Sequence, residues 1–126
     1  MRTIKFRAWD KTAEEMTLPN EIFEILISMD NKVFAMVKNN DNSIGEIDRS
    51  NTVIMQYTGL KDKNGVEIYE GDIVVANSEY GDKIKDIVCW SYGSFYVSNH
   101  TFKQINNVGV IGNIYEHKHL LEENDK

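Results

Sequence analysis

This sequence predicts a mainly β protein built from short antiparallel strands. Two observations carry that expectation. Apolar residues recur mostly with period two, which places alternate side chains on one face of an extended chain. Clusters of glycine, asparagine, aspartate and serine interrupt those runs at short, regular intervals, the spacing of an antiparallel sandwich or small barrel. The stretch MQYTGLKDKNGVEIYEGDIV, residues 55–74, shows both features at their densest.

The first strand is expected over residues 4–9, where Ile4, Phe6 and Ala8 share one face and Lys5, Arg7 and Trp9 the other. Residues 10–15 are polar and turn the chain, residues 16–18 return, and Pro19-Asn20 breaks the run, because proline donates no hydrogen bond and disfavours helix before it. Residues 21–28, EIFEILIS, carry glutamates compatible with a short helix and β-branched residues that favour a strand. The turn-like Met29-Asp30-Asn31-Lys32 and the apolar residues 33–37 beyond it decide for a hairpin. Residues 38–43, KNNDNS, form a loop tip. Residues 44–47 and 52–57 are further strands, and Thr58-Gly59 leaves the second of them.

Asp62, Asn64 and Gly65 then make a turn, with Asn-Gly supplying the positive φ angles of tight hairpins. Val66 and Ile68 lie on one side of Tyr69-Glu70-Gly71-Asp72, and Ile73 and Val74 on the other. Gly71 permits a sharp bend, and Asp72 accepts hydrogen bonds from nearby amides. Residues 79–82 turn into a strand over 84–90, and residues 91–94 turn again into 95–97. A last strand lies within 108–115, interrupted by Gly109 and Gly112. Residues 116–123 suit one or two helical turns, and 124–126 fray.

The chain has 126 residues, 41% of them hydrophobic and 27% charged, an ordinary globular composition. A chain of that length buries a core without disulfide staples. The formal charge of −6 opposes sequence-independent attachment to nucleic acid or anionic lipid. The one cysteine, Cys89, has no internal partner and fits a reducing cytosol. MRTIKFRAWDK lacks the apolar core of a signal peptide, and no apolar run approaches the ~20 residues of a membrane span. A cytoplasmic location and no membrane association are therefore expected. The chain is divided into an N-terminal β-region, residues 1–57, and a second region, residues 58–126; the loop at 38–43 is the other candidate boundary.

Three blocks carry a family resemblance: IKFRAWDK at residues 4–11, the MQYTGLKDKNGVEIYEGDIV stretch, and VIGNIYEHKHLLE at residues 110–122. In that order they resemble the YopX family of bacteriophage and prophage proteins, over nearly the whole chain. The central block, Q-Y-T-G-L-x-D-x-x-G followed by I-Y-E-G-D-I-V, is the most specific. Residues 18–52 match no signature of the family. The resemblance implies a phage context and an SH3-like barrel in the C-terminal portion. It carries no catalytic residue to transfer, since the family has no assigned biochemical function.

Several groups of residues invite a chemical reading. Asp62, Glu67, Glu70 and Asp72 are close enough in sequence to suggest a magnesium site, as in a metal-dependent nuclease. Their spacing follows turn chemistry instead, so Asp62 and Asp72 are read as turn acceptors. Arg7, Trp9 and Asp10 suggest either a recognition patch with a cation–π contact or a structural ion pair covering a sheet edge. Of His100, His117 and His119, the last two are two apart, a spacing that suits metal ligands on a strand but not on one helical face, and Cys89 sits in an apolar strand pattern that reads as buried and inert. Trp90, Tyr92, Phe95 and Tyr96 gather around one turn, where aromatics serve as core or as a binding surface. No phosphate-loop pattern is present among the glycines.

These readings favour a binding or regulatory protein without catalytic residues, cofactor or metal. Its expected surface comprises Arg7, Trp9, Lys61, Trp90, Tyr92 and Tyr96. The expected partners are a host or phage protein and further copies of itself, because small β-domains have spare strand edges. A nucleic-acid-binding module is the alternative, disfavoured by the net charge, with a nuclease behind it.

Overall fold

The computed structural model of the chain describes residues 3–19, 22–27, 33–38, 44–46 and 52–122. The fold is mainly β, and all the strand pairings described are antiparallel. The chain divides into two units, Ile4–Gln56 and Tyr57–Lys126 with Met1–Thr3.

In the first unit, β1 (Phe6–Asp10) pairs on one side with β2 (Glu15–Thr17) and on the other with residues 52–56 of β6 (Thr52–Lys61). Asp10 starts the turn between β1 and β2, its Oδ1 accepting the amides of Thr12 and Ala13 at 2.9 and 3.1 Å. A separate three-stranded sheet holds β3 (Ile22–Ile27), β4 (Val33–Lys38) and β5 (Ile44–Glu46), with β4 in the middle. Residues 22–27 of the ambiguous EIFEILIS segment are thus a strand, and β4 supplies its partner. The turns expected at 29–32 and 39–43, the segment 48–51 and the terminal residues 124–126 lie outside the described residues.

The second unit begins within β6. That strand does not end at Tyr57 as the sequence suggested but runs on to Lys61. A register shift between Tyr57 and Lys61, with Gly59 at φ 87°, absorbs the irregularity while pairing with β7 (Glu67–Tyr69) is kept. β8 (Asp72–Ser78) follows, then β9 (Lys83–Ser91), β10 (Ser94–Val97), β11 (His100–Thr101), a 3-10 turn at Phe102–Gln104, and β12 (Ile105–Asn113). They form a five-stranded sheet in the order β11-β10-β9-β8-β12. A short helix α1 (His119–Glu122) closes the described chain.

The core of this unit is assembled from Ile68, Val74, Ala76, Val88, Val97 and Ile105, with Ile84, Phe95, Phe102, Val108 and Val110 packed against them. β8 is an interior strand, bonded to β9 on one side and to β12 on the other. β12 shifts register twice against β8, between Asn106 and Gly109 and between Val110 and Gly112. The glycines that appeared to interrupt this strand therefore sit where its ladder is displaced, and the strand continues through them.

Two turns in the unit share one hydrogen-bond pattern. At the first, the Asp62 amide donates to the Val66 carbonyl, the Gly65 amide donates to the Asp62 carbonyl, and Asp62 Oδ1 accepts the Asn64 and Val66 amides. At the second, Ser78 takes the place of Asp62: its amide donates to Asp82, its carbonyl accepts from Gly81, and its Oγ accepts the Tyr80 and Asp82 amides. Gly65 and Gly81 both hold positive φ, 84° and 86°. This is a hairpin turn ending in a left-handed glycine, so Asn64 itself has no need of the positive φ expected of an Asn-Gly pair.

Gly71 makes the other sharp bend, at φ 83°. Its amide donates to the Val88 carbonyl and its carbonyl accepts the Ile114 amide, both at 2.9 Å, while Asp72 Oδ2 accepts the Tyr69 amide at 2.8 Å. A β-branched residue cannot take that φ without strain. Gly71→Val is expected to cost about 1–3 kcal/mol, read as a lowered denaturant midpoint. An unchanged midpoint would mean the bend relaxes without loss.

Candidate functional site

The group of residues best placed to touch a partner is the β9–β10 hairpin. Val88 pairs with Val97, Cys89 with Tyr96, Trp90 with Phe95 and Ser91 with Ser94. Two residues, Tyr92 and Gly93, make the loop, at φ 49° and 77°. Positive φ at both loop positions is the geometry whose twist suits a two-residue hairpin. Asparagine, aspartate or glycine normally occupies the first position; here it is tyrosine, held in the left-handed region against a steric cost of about 1–2 kcal/mol.

Alternation along the hairpin sorts its side chains. Val88, Phe95 and Val97 point into the core or pack against it. Trp90 lies on the same face one step further out, where the core has ended, and is 51% exposed. Its ring meets Phe95 edge-on, with centroids 4.7 Å apart and planes at 69°, a favourable aromatic geometry that fixes the indole. Tyr92 at the tip is 96% exposed. Cys89 and Tyr96 take the opposite face, Tyr96 half-buried.

Cys89 is exposed, not buried as its strand pattern suggested. Desolvation first, then the negative charges of Asp86 and Glu70, pushes its thiol pKa up, which keeps it protonated and weakly nucleophilic at neutral pH. Arg7 and Trp9 also depart from expectation. They are 9% and 7% exposed, and β1 is paired along both edges, so these two side chains cover no sheet edge and present no open recognition patch. Lys61 is exposed at the end of β6. Of the six residues expected at a binding surface, the structure brings Trp90 and Tyr92 together at one exposed tip.

The carboxylates of the central block are engaged in the fold. Asp62 Oδ1 accepts two amides within its turn, and Oδ2 reaches across to the Val110 amide of β12 at 2.9 Å. Beside it the Lys63 amide donates to the Val108 carbonyl. Tyr69 packs against Tyr57 with ring centroids 5.4 Å apart, and its hydroxyl donates to Glu67 at 3.2 Å. Among the described residues, no three His, Cys, Asp or Glu side chains are grouped to hold a metal ion.

The C-terminal block has a packing reason for its glycine. A Cβ on Gly112 would lie 2.8 Å from the His117 ring, so only glycine admits that imidazole. His117 Nδ1 accepts the Asn113 amide, the Asn113 carbonyl accepts the His117 amide, and Asn113 Oδ1 accepts the amides of Tyr115 and Glu116. The asparagine thus folds the turn after β12 onto itself.

Sequence reading missed Tyr80, which is 89% exposed on the turn after β8. Its stretch, Glu79-Tyr80-Gly81-Asp82, has ordinary turn composition, and nothing in that composition reveals what the turn stands beside. No helix among the described residues is long and apolar enough to cross a membrane.

A family model described as YopX protein matches residues 5–122. The chain is similar to protein EF1440 from Enterococcus faecalis, known from a crystal structure, at 30% identity over 96% of this chain and 99% of that one, with a TM-score of 0.69. It is also similar to protein yopX from Bacillus subtilis, solved by X-ray crystallography, at 22% identity over 100% of both chains and a TM-score of 0.72; at that identity the likeness speaks to the fold alone. A search of curated proteins found no match.

Proposed function

Since this chain belongs to the YopX protein family, we propose that it is a binding or regulatory protein without catalytic activity, and that the β9–β10 hairpin tip is its contact surface. One observation carries the reading: a tyrosine occupies a left-handed turn position and leaves its ring 96% exposed, beside a half-exposed tryptophan. Folding gains nothing from the Tyr92 ring in solvent, and the turn would close more cheaply on glycine. Binding does gain. Tyrosine and tryptophan are the residues most often dominant in protein interfaces, and Trp90 is held in place by Phe95 before any partner arrives.

The partner is a host or phage protein. A chain of charge −6 repels a polyanion, so stacking of nucleobases on these rings is the weaker use of the same surface. The phage or prophage origin, the host cytoplasm, an SH3-like barrel in the second unit and self-association belong to the same proposal and rest on the family resemblance, the lone cysteine and the strand edges.

The test is affinity capture from phage-infected host cells with the parent chain and Tyr92→Gly, each with and without nuclease. Tyr92→Gly is expected to raise stability by about 1 kcal/mol while losing the partner. A protein captured by the parent, resistant to nuclease and lost with Tyr92→Gly, supports the hairpin reading. Capture undiminished by Tyr92→Gly removes the hairpin, and partners lost to nuclease turn the reading towards nucleic acid.

A further inference from the structure

A cleft of about 270 Å³ lies on the second unit, away from the hairpin tip. Ser78, Glu79 and Tyr80 form one wall, and Asn99, His100 and Gln104 the other. Both walls are rigid for reasons already visible in their hydrogen bonds. The first is the turn that Ser78 closes on itself with its amide, carbonyl and hydroxyl. The second follows Ser98, held at φ 57°, and is tied by the Thr101 amide donating to Gln104 Oε1 at 2.9 Å. Pre-formed concavities lined by a few polar groups are where small ligands or single side chains bind.

The lining selects its occupant by charge and shape. Among the described residues that line it, Glu79 supplies the only formal charge and none is a lysine or arginine, so a phosphate or carboxylate would meet repulsion from Glu79. The Glu79 carboxylate is an acceptor only, and the side-chain amides of Asn99 and Gln104 each carry an acceptor oxygen, that of Gln104 already taking the Thr101 amide on one side. Tyr80 offers an exposed aromatic face at the rim.

We propose that this cleft binds a guanidinium group, with Glu79 and the amide oxygens of Asn99 and Gln104 accepting its N–H donors and the Tyr80 ring stacking on its plane. Guanidinium fits this set better than ammonium does. It is planar, presents five donors in a fixed fork, and is weakly hydrated enough to lie on an aromatic face. The cation comes either from an arginine side chain of a polypeptide or from a free small guanidine. The proposal does not depend on the hairpin: the two surfaces are separate, and the amide resonances of residues 88–97 report independently on any contact of a guanidinium with Trp90 or Tyr92.

The experiment titrates the full chain with N-acetyl-arginine amide and follows backbone amide resonances. Saturable shifts are expected at residues 78–82 and 99–104 and not at the hairpin, weakening as salt is raised. N-acetyl-citrulline amide, of the same shape but uncharged, should not bind. Glu79→Gln and Tyr80→Ala, both at exposed positions where the fold tolerates change, are each expected to weaken binding about tenfold with the spectrum otherwise preserved. An arginine-containing peptide binding more tightly than the amide assigns the cation to a polypeptide; equal affinity assigns it to a free guanidine. Absence of shifts in the cleft, equal binding of citrulline, or affinity unchanged in Glu79→Gln would overturn the assignment.

Discussion

Val74→Asp should abolish the cooperative unfolding transition of the second unit. Val74 is fully buried, and its neighbours in the core are Ile68, Ala76, Val88, Val97 and Ile105. Its strand is bonded on both sides, to Val110 on β12 and to Asp86 on β9, so the surrounding backbone donors are committed to the ladder. A carboxylate there would lose its hydration and find no cation. The penalty is several kcal/mol, against total stabilities of about 5–15 kcal/mol for domains of this size. The structure cannot relieve the cost by swinging the side chain out, because β8 is an interior strand paired on both sides.

Circular dichroism with thermal melting of the full chain reads this outcome. Val74→Thr is the partner variant, with nearly the same shape but a hydroxyl that is able to bond to the strand. It should melt lower than the parent while keeping a cooperative transition, at a cost of about 1–3 kcal/mol. If Val74→Asp melts within a few degrees of the parent, Val74 does not occupy the core of the molecule in solution.

The expectation about Val74 was legible in the sequence, and the reason is general. Strand alternation and bend chemistry are local, so Ile73-Val74 following Glu70-Gly71-Asp72 announced a strand leaving a sharp turn. The same logic made EIFEILIS a strand once a turn and a second apolar run followed it. What local patterns do not reveal is which strand is central. Arg7 and Trp9 alternate as a surface face should, yet β1 is flanked on both sides and the pair is buried. Cys89 errs in the opposite direction: its apolar neighbours suggested a core position, but strand alternation turns it to the face opposite Val88, Phe95 and Val97.

The candidate site was legible in the same uneven way. Trp90 and Tyr92 could be named because aromatics clustered at a turn are conspicuous. That Tyr92 takes a left-handed φ could not be read, since Asn64-Gly65 looked the stronger two-residue turn and Asn64 proved not to use that conformation. Nor could the cleft be read. It joins residues 78–80 to 99–104, and that meeting follows from sheet order, to which no short motif refers.

Asp62→Ala should be the most damaging polar substitution in the central block. One carboxylate there satisfies three backbone amides, two in its own turn and the third on Val110, 48 residues away. It therefore joins a local turn to the strand β12. Removing it leaves donors that the surrounding structure no longer satisfies. A bond to a charged acceptor is worth about 1.5–3 kcal/mol, and water reaches the turn amides more easily than that of Val110. An overall loss of about 3 kcal/mol and a drop in Tm of roughly 10 °C are expected. Asp62→Asn tests the geometry, because its amide nitrogen must face either the Val110 N–H or the two turn N–H groups, donor against donor. It should recover little of the loss.

The pH dependence separates charge from packing. The Val110 amide, foremost, and then those of Val66 and Asn64 and the nearby Lys63 ammonium favour the ionised carboxylate of Asp62, while desolvation opposes it; the net effect lowers its pKa from the ordinary value. A carboxyl depressed in the folded state binds its proton more readily in the unfolded chain. Its contribution is therefore present in full above the unfolded pKa, about 3.9, and is lost as the pH falls through the lower, folded value. The stability gap between the parent and Asp62→Ala should be constant from pH 5 to 8 and narrow below about pH 4. Urea midpoints at a series of pH values give the gap directly. A gap that stays constant down to pH 2 would mean that shape rather than charge makes Asp62 matter, and that the bond to Val110 is an ordinary neutral one.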